Sequence, residues 1–192
     1  MPKINYFETL DRLAELASSA VAVAVNTCTS PTLCSQISPM REECDKLVLK
    51  LEDSLFSDFL PPLERNNIAA CAHFLSRVIE YSRELAVSAE ESCIISSKKW
   101  NKDGEICVEL AEALKAHTAM LSEIRKPSKT PELKEFRKLL SDGHKAHVAM
   151  LKKLRSGSLP RSYFRPIILT ARLRSELSRA FDELVEIMLN NI

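Results

Sequence analysis

The sequence predicts an all-α fold of six helices, arranged as two antiparallel three-helix bundles. Two observations carry that prediction. Apolar residues recur at spacings of three and four through most of the 192 residues, the period of a helix with one buried face; a strand would alternate with period two. Glycine occurs only three times, whereas sheet-rich folds, dinucleotide sites and phosphate-cradling loops draw on glycine at positive φ. A hydrophobic share of 45% against 28% charged belongs to a chain that folds rather than one that stays disordered.

The stripes follow in order. Ile4, Phe7, Leu10, Ala14, Ala17, Val21 and Ala24 form the first, and Ile37, Met40, Cys44, Leu47, Leu51 and Leu55 the second. Ile68, Cys71, Leu75, Ile79, Ala86 and Cys93 form the third. The fourth is Leu110, Leu114, His117, Leu121 and Ile124; the fifth is Leu133, Phe136, Leu140, Gly143, His147 and Leu151. Leu169, Leu173, Leu177, Phe181, Leu184 and Met188 complete the set. Breakers fall between them: "NTCTSPTLCS", the Pro61–Pro62 pair, "SSKKWNKDGE", "KPSKTPEL" and "RSGSLPRSYFRP". Short connections favour antiparallel neighbours, which gives two halves, 1–96 and 97–192, dividing near Ser96 to Gly104.

Composition bounds the function classes. The longest apolar run, Ala20 to Val25, is far below the roughly 20 residues of a membrane span. The start, "MPKINYFETLDRL", has no apolar core of the signal-peptide kind, so none is expected. Six cysteines, none spaced as C-x-x-C, read as reduced, small apolar side chains in a cytosolic protein. The net charge of +1 hides an asymmetry: residues 1–96 carry 8 Lys/Arg against 14 Asp/Glu, a net of −6, and residues 97–192 carry 19 against 12, a net of +7. The C-terminal half suits anionic surroundings. There is no nucleophile elbow, no phosphate-binding loop and no H-E-x-x-H, and the protein is not expected to be an enzyme.

"KAHTAMLSEIR" (115–125) and "KAHVAMLKKLR" (145–155) echo one another and place His117 and His147 at equivalent positions. Convergence accounts for the echo, because helix cores reuse a small alphabet.

The stretch "SDFLPPLERNNIAACAHFLSRVIEYS" (57–82) breaks a helix and restarts it. Pro61 disfavours helical backbone at Leu60, and neither proline can donate to a helical ladder. Glu64 places a carboxylate at the positive end of the new helix, and Phe56, Phe59 and Leu63 are expected to cover the end of the bundle. "FLPPLERNNI" followed by "AACAHFLSRVIEY" resembles the helix 2–helix 3 corner of PhoU-like proteins, in the branch of stand-alone phosphate transport regulators. There the corner reads approximately F-[IL]-[TP]-P-[IL]-D-R-E-D-I. "REECDKLVLKLEDSLF" resembles that family's second helix and "LSRAFDELVEIM" its last. The resemblance spans nearly the whole chain, with the corner as its specific part.

What the resemblance implies about chemistry is metal, because PhoU-like proteins carry repeated Glu/Asp-x-x-x-Asp motifs and several members bind multinuclear metal clusters. Residues four apart share a helix face and can chelate together. This chain departs from that pattern. Asp45 remains on helix two, but Arg41 stands four residues before it. Ser76 and Arg77 replace paired acids on helix three, leaving Glu80. Ser178 stands where the partner of Asp182 is expected on helix six, and Gly143 and His147 replace an acidic pair on helix five. A hard cation needs several oxygen donors. The expectation is no cofactor, or at most a weak divalent zinc or iron ion held by His144, His147 and a carboxylate.

The window "KKLRSGSLPRSYFRPIILTARLR" (152–174) contains seven Lys/Arg and no acid. It reads either as a solvated connector or as a docking element for an anionic surface through Lys152, Lys153, Arg155, Arg161, Arg165, Arg172 and Arg174. A cytoplasmic leaflet or the inner face of a transporter would serve. No nucleic acid is expected, because no recognition motif appears. The resemblance implies a cytoplasmic regulatory or accessory protein of inorganic phosphate transport, peripheral at the inner face of the cell membrane. Its partner would be a membrane phosphate transporter or that transporter's regulatory partner, with homo-oligomerisation open. The alternative is a helical scaffold or adaptor that has lost metal and acts only through protein contacts.

Overall fold

A computed structural model of the chain describes residues 4–27, 35–58, 61, 63–91, 102–123 and 133–190. Within these it contains six α-helices and no strand: α1 (Tyr6–Thr27), α2 (Ile37–Ser57), α3 (Arg65–Glu91), α4 (Lys102–Ala119), α5 (Leu133–Arg155) and α6 (Phe164–Asn190). The helical period read from the sequence is the period of burial. Leu10, Ala14, Ala17, Val21 and Ala24 on α1 are buried, as are Ile68, Cys71, Leu75, Ile79 and Ala86 on α3 and the whole sixth stripe on α6. Cys93 and Ile124 lie outside the described residues.

Four helices make the centre. α1 packs along α3 and α4, and α6 packs along α3 and α4, so the two halves share one continuous core. α2 lies against α1 and α3, and α5 against α4 and α6. The outer helices are more weakly buried. On α2 only Ile37, Cys44, Leu51 and Leu55 are fully inside, and on α5 only Phe136, Gly143 and Met150.

The proline corner behaves as a corner. α2 ends at Ser57, Asp58 turns to extended backbone, and Pro61 lies outside any helix. Leu63 and Ile68 are buried beneath it, while Phe59 and Pro62 lie outside the described residues. Phe56 corrects the expectation: it is 89% exposed. The buried line of α2 runs through Leu51 and Leu55, and the next residue is turned about 100° away from it. What closes the corner is polar. The Arg65 guanidinium donates to the carbonyls of Leu55 and Asp58, groups that a helix C-terminus leaves without intrahelical partners. Tyr6 donates its hydroxyl to Asp58 Oδ2 at 2.7 Å, tying the start of α1 to the end of α2. Burial first, and then the Asp58 carboxylate, push the Tyr6 hydroxyl up to about 12.

α1 starts where Asn5 caps it. Its Oδ1 accepts from the backbone N–H groups of Phe7 at 3.1 Å and Glu8 at 3.4 Å, the task expected of an N-cap amide. α4 starts earlier than the breaker "SSKKWNKDGE" suggests, with Lys102 to Glu105 already helical. The reason is Asp103, which sits in the first turn, where a carboxylate favours the helix terminus, and is held there by a buried partner described below.

Candidate functional site

Two of the three acidic residues expected to mark a metal site are held by arginines. Asp45 on α2 is exposed and Glu80 on α3 half-buried. Arg41 joins them: its Nε lies 3.6 Å from Asp45 Oδ2, and its guanidinium pairs with Glu80 across the α2–α3 interface. Arg83 adds a second cation 3.6 Å from Glu80 Oε1. At the α3–α6 interface, Glu176 is buried between Arg77 at 3.1 Å and Arg179 at 3.3 Å. Asp182 is exposed and has no ion pair among the described residues.

A third set lies where α4, α5 and α6 meet. Asp103 is 5% exposed and Arg174 is 7% exposed, and Arg174 Nη1 donates to Asp103 Oδ1. His147 on α5 places Nδ1 at 3.7 Å from Asp103 Oδ2, too far for a hydrogen bond. Desolvation holds the Asp103 carboxyl above its ordinary range, with Arg174 opposing that shift. Burial likewise lowers His147, and Arg174 adds to the lowering while Asp103 opposes it, so the imidazole is neutral at pH 7. His144 is exposed on the same helix. No motif in the sequence marks Asp103, and Arg174, expected on the basic surface, projects from α6 and is instead enclosed by α4 and α5. The remaining signal for such a pair is an acid in the first turn of a helix followed by apolar period, which Asp103 satisfies.

Gly143 explains how a guanidinium fits there. A Cβ at this position would sit 2.7 Å from Arg174 Cδ and 3.2 Å from Ile106 Cγ2. The stem of Arg174 crosses α5 through the space that glycine leaves, and its head is pinned by Asp103, so it cannot swing aside cheaply. Alanine gains about 1 kcal/mol over glycine in a helix interior, but overpacking costs typically about 1–3 kcal/mol. Gly143→Ala is therefore expected to destabilise the protein by about 1 kcal/mol, and to stabilise it by a similar amount in an Arg174→Ala background. Urea unfolding of the four proteins checks this, and an equal effect in both backgrounds would remove the clearance role.

His117 and His147, equivalent in the sequence echo, have different surroundings. His117 is buried, with its ring edge on Phe181 at 5.2 Å and Nδ1 at 2.5 Å from the Ala113 carbonyl. The echoed segments also differ in backbone: α4 passes into a 3-10 turn at Met120–Glu123, whereas α5 stays α-helical to Arg155. Cys44, Cys71 and Cys107 are free and buried. Burial raises their thiols, Cys44 to about 11 and Cys71 to about 12, and Cys107 upward as well, so none is poised as a nucleophile. Of the basic residues singled out by sequence, Lys152, Lys153, Arg155, Arg161, Arg165 and Arg172 are exposed around the α5–α6 connection.

No family model matches the chain, and no curated protein matches it. Among solved structures, a PhoU-like protein from Shewanella oneidensis MR-1 superposes with a TM-score of 0.81 at 10% identity, covering 97% of this chain and 100% of that one. A second protein from the same organism, described as a PhoU-like phosphate regulatory protein, gives 0.81 at 11% identity, covering 98% and 100%. The fold is PhoU-like.

The metal cluster that the PhoU-like resemblance implies does not fit the described residues of this chain. Such a cluster needs many carboxylate oxygens directed at shared ions. Here Asp45 and Glu80 face Arg41, Glu176 faces Arg77 and Arg179, and Asp103 faces Arg174. Among the described residues, no three His, Cys, Asp or Glu side chains converge where they could hold one ion. Each guanidinium supplies the positive charge in place and repels a second cation.

Proposed function

We propose that this protein is a non-enzymatic regulatory or accessory protein of inorganic phosphate transport, acting by binding a membrane transporter or its partner, and that it does so without a multinuclear metal cluster. The observation that carries the reading is the end-to-end match of its PhoU-like fold to a protein described as a phosphate regulatory protein. Fixed arginine–carboxylate pairs at the helix interfaces make the scaffold independent of metal supply. No helix among the described residues is long and apolar enough to cross a membrane, in keeping with a protein that meets its transporter from one side.

The test is affinity capture from native membranes of cells grown with and without phosphate. A phosphate permease component recovered in a phosphate-dependent manner supports the reading; capture in which no component of phosphate transport is enriched overturns it. Elemental analysis of protein purified without chelator tests the second clause. Substoichiometric iron and zinc is the expected result. Several tightly bound ions, lost on Asp45→Ala or Asp182→Ala, would show a cluster after all.

A second reading, a scaffold acting through protein contacts alone, is favoured by α2. Leu49 is 62% exposed and Phe56, seven residues on along the same outward line, is 89% exposed. Such a pair is the kind of anchor an α-helical partner uses. Under this reading, capture is abolished by Phe56→Ser and is indifferent to phosphate.

A further inference from the structure

We propose that the connection between α5 and α6 is a docking element for an anionic phospholipid bilayer, with Phe164 entering the headgroup region between cations that sit on lipid phosphates. This goes beyond the regulatory reading, because it concerns lipid rather than a transporter.

Charge is the first argument. Between Asp142 and Glu176 the chain contains no acidic residue. Lys152, Lys153 and Arg155 occupy the last turn of α5, Arg161 stands in the connection, and Arg172 lies on the exposed side of α6. None of these five cations has an ion pair among the described residues. Arg165 alone is engaged, with Glu91 at 3.2 Å. Elsewhere Arg12, Arg41, Arg77, Arg83, Arg174 and Arg179 face carboxylates, whereas exposed Arg137 on α5 has no ion pair among the described residues. Other unpaired cations occur on α2, α4 and α5, but here three share the last turn of α5 and a fourth follows in the connection, with no acid in the segment to offset them. The net charge of −6 on residues 1–96 against +7 on residues 97–192 favours this end for an anionic surface.

Shape is the second argument. The turn is built rather than loose. Gly157 takes a φ of 75° and donates to Leu154 O at 3.2 Å, while Ser158 N–H donates to Lys153 O at 2.9 Å, the paired bonds of a Schellman ending. Leu159 and Tyr163 pack against the core behind it. From Lys152 to Ser158 every residue but Leu154 is exposed, so the turn projects. At its far side Phe164, which precedes Arg165, is 55% exposed. A projecting turn that carries unpaired cations, no acid of its own segment and an exposed aromatic beside the Arg165–Glu91 pair matches a bilayer interface, where aromatic rings sit at headgroup level and basic residues meet lipid phosphates. An acidic protein surface would need a pocket for Phe164, whereas a lipid interface accepts it anywhere.

The test uses protein-free vesicles, so that it is separate from transporter binding. The full chain is sedimented with vesicles of phosphatidylcholine alone and of an equal mixture of phosphatidylcholine and phosphatidylglycerol. Binding to the mixture but not to phosphatidylcholine, weakening as salt is raised, is the expected result. Lys153→Gln should reduce partitioning about fivefold and the triple Lys152→Gln, Lys153→Gln, Arg155→Gln variant about 100-fold, with circular dichroism unchanged. Phe164→Ala should weaken binding about fivefold at constant charge. Lys46→Gln, an equal loss of charge on exposed α2, should leave it unchanged. Failure to bind the mixed vesicles, equal binding to both vesicle types, or equal effects of Lys46→Gln and Lys153→Gln would each overturn the proposal.

Discussion

Replacing Arg174 by methionine is expected to lower the stability of the protein by about 3–5 kcal/mol at neutral pH, because it leaves the Asp103 carboxylate buried without its cation. Methionine keeps much of the stem that runs past Gly143, so the loss reports charge rather than volume. Burial already holds the Asp103 carboxyl above its ordinary 3.8 with Arg174 beside it, and without Arg174 it must rise further. The folded state then takes up the proton before the unfolded chain does. The penalty accordingly grows as pH rises above 3.8 and fades as pH falls toward that value. Urea unfolding near pH 7 and near pH 4 should show the gap between the two proteins closing on acidification. The double variant Asp103→Leu, Arg174→Met should recover most of the loss, since an apolar pair can replace a buried ion pair at little cost. A single variant within about 1 kcal/mol of the parent at pH 7 would mean that water reaches Asp103 and that the pair is not structural.

What the sequence made legible was burial, and what it hid was pairing. Helix period is a local property: Leu169, Leu173, Leu177, Phe181, Leu184 and Met188 lie on one face whatever they pack against, and all are buried. The Pro61 corner is equally local, because the ring constrains its own backbone. Arg174 was read as surface because arginine usually is. Its partner Asp103 lies 71 residues earlier, and nothing in a single sequence announces a contact at that separation. Phe56 failed in the opposite direction: its apolar character was taken as burial, while its angular position, one residue past Leu55, already pointed outward. Gly143 was legible as a missing acid and not as clearance, since clearance depends on a side chain from another helix. Asp45 and Glu80 were both flagged, and the structure does bring them together, but through Arg41 rather than through an ion.

These pairs share a placement that bears on function. Arg41–Glu80 spans α2 and α3, Arg77–Glu176 spans α3 and α6, and Arg174–Asp103 spans α4 and α6. Each occupies a helix interface where a bound ion could otherwise set the spacing. Under the proposed regulatory reading, a scaffold held by its own guanidinium groups would present its surface without needing a metal cluster.

Phe181→Ala is expected to destabilise the protein by about 3–5 kcal/mol, the usual range for removing a buried phenylalanine, and to loosen α5 more than any other helix. Phe181 on α6 stacks on Phe136 of α5 at 3.6 Å between ring centroids and 6° between planes, and receives the ring edge of His117 from α4. Three helices therefore meet on one side chain. The consequence is uneven because α5 has so little else: besides Phe136, only Gly143 and Met150 are fully buried on it, while α1, α3 and α4 have long buried faces of their own. Alanine leaves a cavity against Phe136 and forfeits the ring pair, worth about 0.5–1.5 kcal/mol beyond area. Native-state hydrogen exchange should accordingly show amides of α5 losing protection at denaturant concentrations where α1 and α3 keep theirs. A double-mutant cycle with Phe136→Leu separates the pair from the cavity, and a coupling of about 1 kcal/mol is the expected value. Because α5 carries Lys152, Lys153 and Arg155, the same substitution should blunt the basic turn without altering its charge. Protection lost uniformly across all six helices would show instead that α5 is no more separable than the rest of the core.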